Sequence, residues 1–155
     1  DTSPCRVEKV TLFYLRDMIK QNNMPTTVVE ATTKTDYIRV AATVSDPSSN
    51  INKVYAFALA SPLTTAQKDN VTDILNFIAA KPDAVVTMFN PDTGATTSSS
   101  SPPSFQVIGF IRKVIDDYTA NSDTDDFDAS STYHVYIVTQ NNLGYNKVWE
   151  STPPP

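Results

Sequence analysis

Residues 127–144 read FDASSTYHVYIVTQNNLG, and this stretch decides the fold. From Tyr133 onward the apolar side chains alternate. Tyr133, Val135 and Ile137 fall on one side of an extended chain, while His134, Tyr136, Val138 and Gln140 fall on the other. A period of two is the mark of a strand. Asn141, Asn142 and Gly144 then supply turn chemistry ahead of a second extended run, YNKVWES, so the two runs read as a hairpin.

Taken in order, Phe127, Ser131, Thr132, Tyr133, Val135, Ile137, Thr139, Asn141 and Gly144 resemble the corner and following strand of fibronectin type III domains. In that family an apolar residue stands six positions before a corner tyrosine, and an Asn and a Gly stand eight and eleven positions after it. The resemblance implies an immunoglobulin-like sandwich in which Tyr133 buries its ring and uses its hydroxyl to pin a crossover between sheets. Upstream, Pro25 to Val44 resembles the first two strands of that family and Ile51 to Leu59 the third. The sequence departs from the family at Ala42 and Thr43, where a buried Trp often stands.

Outward from this stretch the strands continue. TTVVEAT follows Pro25 and reads as an edge strand, because proline cannot donate a ladder hydrogen bond. YIRVAATV (37–44) alternates cleanly, and NKVYAFALA (52–60) and AVVTMF (84–89) are further strands. FQVIGFIRKVIDDY (105–118) reads as one long strand with Gly109 as a bulge. Residues 7–20, VEKVTLFYLRDMIK, fit helix and strand spacing equally. Between them the period changes. Thr64-Thr65-Ala66-Gln67 is a capping-box pattern, Val71, Ile74, Leu75 and Ile78 recur at helical spacing, and Lys81-Pro82 closes the element. NPDTGATTSSSSPPS reads as a flexible loop whose Thr/Ser run is also a candidate for O-linked sugar.

The expected fold is therefore mainly β. It is an antiparallel immunoglobulin-like, fibronectin type III-like two-sheet sandwich over 25–151, with one inserted amphipathic helix at about 64–80. Residues 1–24 form an N-terminal extension, and 152–155 a Pro-rich linker or tail. One feature of the strands goes further. A sheet face in water alternates with polar residues, yet Tyr136 and Val138 on one strand and Tyr55, Phe57 and Leu59 on another make the second face apolar too. Something must cover it, and the helix is the nearest candidate, ahead of residues 7–20 or a partner.

Composition narrows the function. A formal charge of -5 argues against binding a nucleic-acid backbone, which needs clustered Lys and Arg. No apolar run has the length of a membrane span. The single cysteine, Cys5, cannot form an internal disulfide, and a lone histidine, His134, leaves little for a zinc site. No nucleophile elbow, metalloprotease helix or phosphate loop occurs, so the expectation is a protein that is not an enzyme and has no cofactor. The crowded aspartates near the corner leave two readings open, a solvated acidic turn or a calcium site with Asp123, Asp125 and Asp128 as its first ligands. The loop lacks the Gly and final Glu of an EF-hand. Asn70-Val71-Thr72 is an N-glycosylation sequon on the polar side of the helix.

These features point to a non-catalytic structural or protein-interaction module of a larger surface-exposed assembly: an adhesin, an extracellular filament, or a virion spike or minor subunit. Its partners would be other domains or subunits of that assembly, with glycan as a further ligand, and its setting extracellular, cell-surface or virion. The alternative is a carbohydrate-binding or accessory module of an extracellular enzyme, which would need Trp149, Tyr145 and Tyr136 as a flat stacking platform in solvent.

Overall fold

The alternation read in the sequence becomes two facing sheets. The computed structural model describes residues 6–15, 37–46, 50–98, 105–116, 118, 124–125, 133–142, 144 and 146–151. In chain order the elements are β1 (Arg6–Leu15), β2 (Tyr37–Ser45), β3 (Ile51–Leu59), α1 (Thr65–Asp69), α2 (Val71–Ala80), β4 (Val86–Thr87), β5 (Phe105–Ile111), β6 (Val114–Ile115), β7 (Thr124–Asp125), β8 (His134–Asn141) and β9 (Asn146–Glu150). The first sheet runs β1-β2-β5 and the second β7-β6-β3-β8-β9, with β4 also on β3. Pairing is antiparallel except where β6 lies parallel to β3, Ala58 beside Val114.

The two central strands of the second sheet, β3 and β8, divide their side chains between two cores. Val54, Ala56 and Ala58 of β3 and Val135 and Ile137 of β8 face the first sheet, where they meet Ile38, Val40, Ala42 and Val44 of β2 and Val107 of β5. Phe57 and Leu59 of β3 and Tyr136 and Val138 of β8 face the other way, into a second core with Leu63, Ile74 and Ile78. α2, with Leu63 ahead of α1, therefore covers the outer face of the second sheet, as its apolar character required. Phe57 stacks on Tyr136 at 5.5 Å and meets Phe77 of α2 at 5.3 Å, which carries the packing from sheet to helix.

Three elements differ from the reading above. The expected single helix is two, because the backbone leaves helical geometry at Asn70 (φ -92°, ψ 81°), which closes α1 and caps α2. The expected long strand over 105–118 is also two. β5 stays in the first sheet, and after Arg112 and Lys113 the chain crosses to the second as β6. Gly109 forms no bulge, since Val40 faces Gly109 in an unbroken β2–β5 register. Its reason is packing: a Cβ there would lie 3.1 Å from Met88 Cγ and 3.2 Å from Val86 Cγ2. The irregularity lies in β1 instead, between Glu8 and Thr11, where Lys9 takes a φ of 52°.

Residues 6–15, ambiguous by spacing, are a strand at the edge of the first sheet, so that sheet draws on the N-terminal extension. The strand expected at 84–89 pairs with β3 only at Val86–Thr87, but Phe89 then bridges to Ile108 of β5, tying the two sheets together along that side. The hairpin between β8 and β9 is as expected, and Gly144 adopts a φ of 87°, a left-handed conformation that favours glycine. The strand expected over 26–32, Cys5 and the tail 152–155 lie outside the described residues.

Candidate functional site

The most concentrated polar chemistry lies between the helices and the second sheet. β8 turns Tyr136 outward, and the helical insertion begins directly above it. Leu63 N–H donates to the Tyr136 hydroxyl at 2.8 Å, and that hydroxyl donates to Glu150 Oε2 on β9. The other oxygen of Glu150 takes Lys68 Nζ of α1 at 2.9 Å. The start of the helical insertion, at Leu63 and Lys68, is thus joined to β8 and β9 around one fully buried phenol.

The electrostatics follow from these contacts. Burial pushes the Tyr136 hydroxyl well above its ordinary range, and the bond to Glu150 adds to that shift against a smaller opposing effect from Leu63 N–H. Burial also raises the Glu150 carboxyl, but hydrogen bonds from Tyr136 and Lys68, with the charges of Lys68 and His134, outweigh it and hold the group below the usual carboxylate range. A carboxylate stabilised in this way is a weak proton acceptor. The cluster acts as a tie: it fixes α1 to β8 and β9.

Two grooves flank the helices. One of about 470 Å³ lies between α2 and the β4 edge, lined by Tyr55, Leu75, Ile78, Pro82 and Val85 with Gln140 at its polar end. The other, about 430 Å³, lies between α1 and β9, with Thr65, Asp69, Val71, Asn146 and Val148 around it. Asn146 Nδ2 donates to Gly144 O at 2.8 Å, whereas its buried Oδ1 has no partner among the described residues.

The sequence-derived sites fall out unevenly. Tyr133 is buried in the inter-sheet core at 3 % exposure. Asn141, from the same motif, donates to Asp46 Oδ2 at 2.7 Å and anchors the end of β8 to the β2–β3 connection. Asp123 and Asp128 lie outside the described residues. Asp125 pairs with Val114 through its backbone in β7. Among the described residues no three His, Cys, Asp or Glu side chains gather. Asn70 is exposed, but it sits at the helix junction rather than on a continuous polar face, and its Oδ1 accepts from Asp73 N–H at 3.2 Å while its Nδ2 donates to Asp73 Oδ2 at 2.8 Å.

The aromatic platform does not assemble. Tyr136 is fully buried beneath the helices, and Trp149, opposite Ile137, packs against the inter-sheet core on the other face. Tyr145 lies outside the described residues. Part of the loop read as flexible is tied down: Asn90 Oδ1 accepts from the amides of Asp92 and Thr93, and buried Ser98 exchanges hydrogen bonds with Ile51. The Tyr136–Glu150–Lys68 tie escaped sequence reasoning because its members share no local motif. The one available signal was an outward-facing tyrosine on a strand whose outer face had to be covered.

No protein-family model matches the chain, and no curated protein or solved structure shows significant similarity to it.

Proposed function

We propose that the chain is an immunoglobulin-like, fibronectin type III-like module that serves a structural or protein-interaction role, without catalysis, in a larger surface-exposed assembly. The observation that carries this reading is strand order. β1, β2 and β5 stand side by side as the first, second and fifth strands of such a sandwich would, and β3, β8 and β9 stand in the places of its third, sixth and seventh. The assignment of the assembly rests on fold-level analogy.

A second support is the disposition of the polar groups between helices and sheet. Tyr136, Glu150 and Lys68 bind one another and hold elements together, which is the economy of a scaffold. We assign the module to an adhesin, an extracellular filament or a virion, with other subunits of that assembly as partners. The test is the intact mass of the polypeptide and of the native particle in its source. The reading predicts that the chain is recovered within a longer polypeptide or bound to other subunits. Recovery as a free 17.0 kDa monomer would contradict it.

A further inference from the structure

The edges of the two sheets are not treated alike. On the β4 side, Phe89 bridges to Ile108, and Asn90 Nδ2 donates to Gln106 O, so the gap between the sheets is laced shut. At β1 the edge carries a bulge with an exposed lysine, Lys9, at positive φ, a device that discourages strand addition. β7 spans only Thr124–Asp125. β9 has neither a bulge nor a bridge to the other sheet. Its residues Asn146–Glu150 form a regular edge, and among the described residues no strand pairs with its far side.

Which groups face outward can be worked out. Ser151 N–H donates to Val135 O at 2.9 Å, so the Val135–Ser151 position is one that points its backbone groups at β8. Antiparallel pairing alternates. Lys147 and Trp149 therefore also face β8, while Asn146, Val148 and Glu150 direct their N–H and C=O groups away from it.

These groups are symmetric about Val148. A second β9 laid antiparallel against the first sets Val148 opposite Val148, Asn146 opposite Glu150, and Lys147 opposite Trp149. The pairs at 146, 148 and 150 are the hydrogen-bonded ones, each exchanging two bonds. No like charges meet, two valines meet at the axis, and a lysine lies beside an indole. The groove between α1 and β9 lies on the same edge, so a second copy would also close over Val71 and Val148.

We infer that β9 is a self-complementary edge through which two copies of this chain join into one continuous sheet, paired antiparallel about Val148. The inference stands on the geometry of the edge and goes beyond the assembly reading, so either can fail without the other.

Sedimentation equilibrium of the purified full chain, with reductant present so that Cys5 cannot bridge, tests it alongside two variants. In Val148→Pro the proline removes an outward N–H that the β8 pairing does not use, and in Val148→Lys like charges meet at the axis. The wild-type mass should rise with concentration from 17.0 kDa toward twice that value. Both variants should need more than about tenfold higher concentration to do the same, with unchanged far-UV circular dichroism. Should the proline variant fail to fold, the lysine variant decides alone. A wild-type chain that stays monomeric at every concentration overturns the inference, as does a doubled mass that the folded variants retain.

Discussion

Tyr136 is the residue on which most of the outer packing converges. Its ring stacks on Phe57 and its hydroxyl joins Leu63 to Glu150. Tyr136→Phe keeps the ring and leaves a buried amide and a carboxylate oxygen short of a partner, so it should cost about 1–3 kcal/mol in urea denaturation. The fold also favours the neutral phenol, whose pKa lies above the ordinary 10.0. That stability is complete below pH 10 and is lost as the pH climbs toward the raised value, so alkaline melts should steepen in the wild type and flatten in the variant. Glu150 works in the opposite sense. Its folded value lies below 4.5, so its contribution is present above that pH and drains away as the pH falls through the folded value. Glu150→Gln should flatten the acid limb of stability against pH. At Gly109 a methyl group would press on the side chains of Met88 and Val86, which must give by a few tenths of an ångström, so Gly109→Ala should lower the stability read from urea denaturation by about 1 kcal/mol.

At the scale of elements, the covering helices were legible and their junction was not. Thr64 and Gln67 form the capping box in both directions, 2.8 Å from Thr64 N–H to Gln67 Oε1 and 3.1 Å from Gln67 N–H to Thr64 Oγ1. Ile74 and Ile78 face the sheet as their spacing requires. Asn70 followed by Asp73 is an N-cap signal as well as part of a sequon, but a capping box at 64–67 followed by the repeat from Val71 to Ile78 reads as one helix. Asn70→Ala should cost about 1 kcal/mol through loss of the cap. Ile74→Ala, at a site with no solvent exposure, should cost about 2–5 kcal/mol. Thermal or urea melts that rank these two substitutions the other way would mean that α2 is held by its cap rather than by its packing. The break after Ile111 was illegible for a similar reason. Arg112 and Lys113 interrupt an apolar run without a turn residue, and the crossing sets β6 beside Ala58 and Leu59, which lie far away in sequence.

For the whole molecule, alternation was informative wherever a strand is buried on both faces. β3 and β8 carry apolar residues on each side, and that pattern alone requires a third layer. The edges were less legible. β1 is half-exposed; Val7, Val10, Tyr14 and Met18 fit a helical spacing while Val10, Leu12 and Tyr14 fit a strand, because an edge strand needs only one apolar side, further blurred by the bulge at Lys9. The polar tie and the β9 edge depend on long-range pairing, which no local motif records. The molecule that results is a sandwich with one outer face sealed by its own chain.

Above all, α2 is an integral layer over β3 and β8. Amide hydrogen exchange of the purified chain tests it most directly. The account predicts that amides of α2 around Ile74 and Ile78 exchange as slowly as those of Phe57 and Tyr136, as one cooperative unit. Exchange of α2 at the rate of an unfolded peptide, with β3 and β8 still protected, would contradict it.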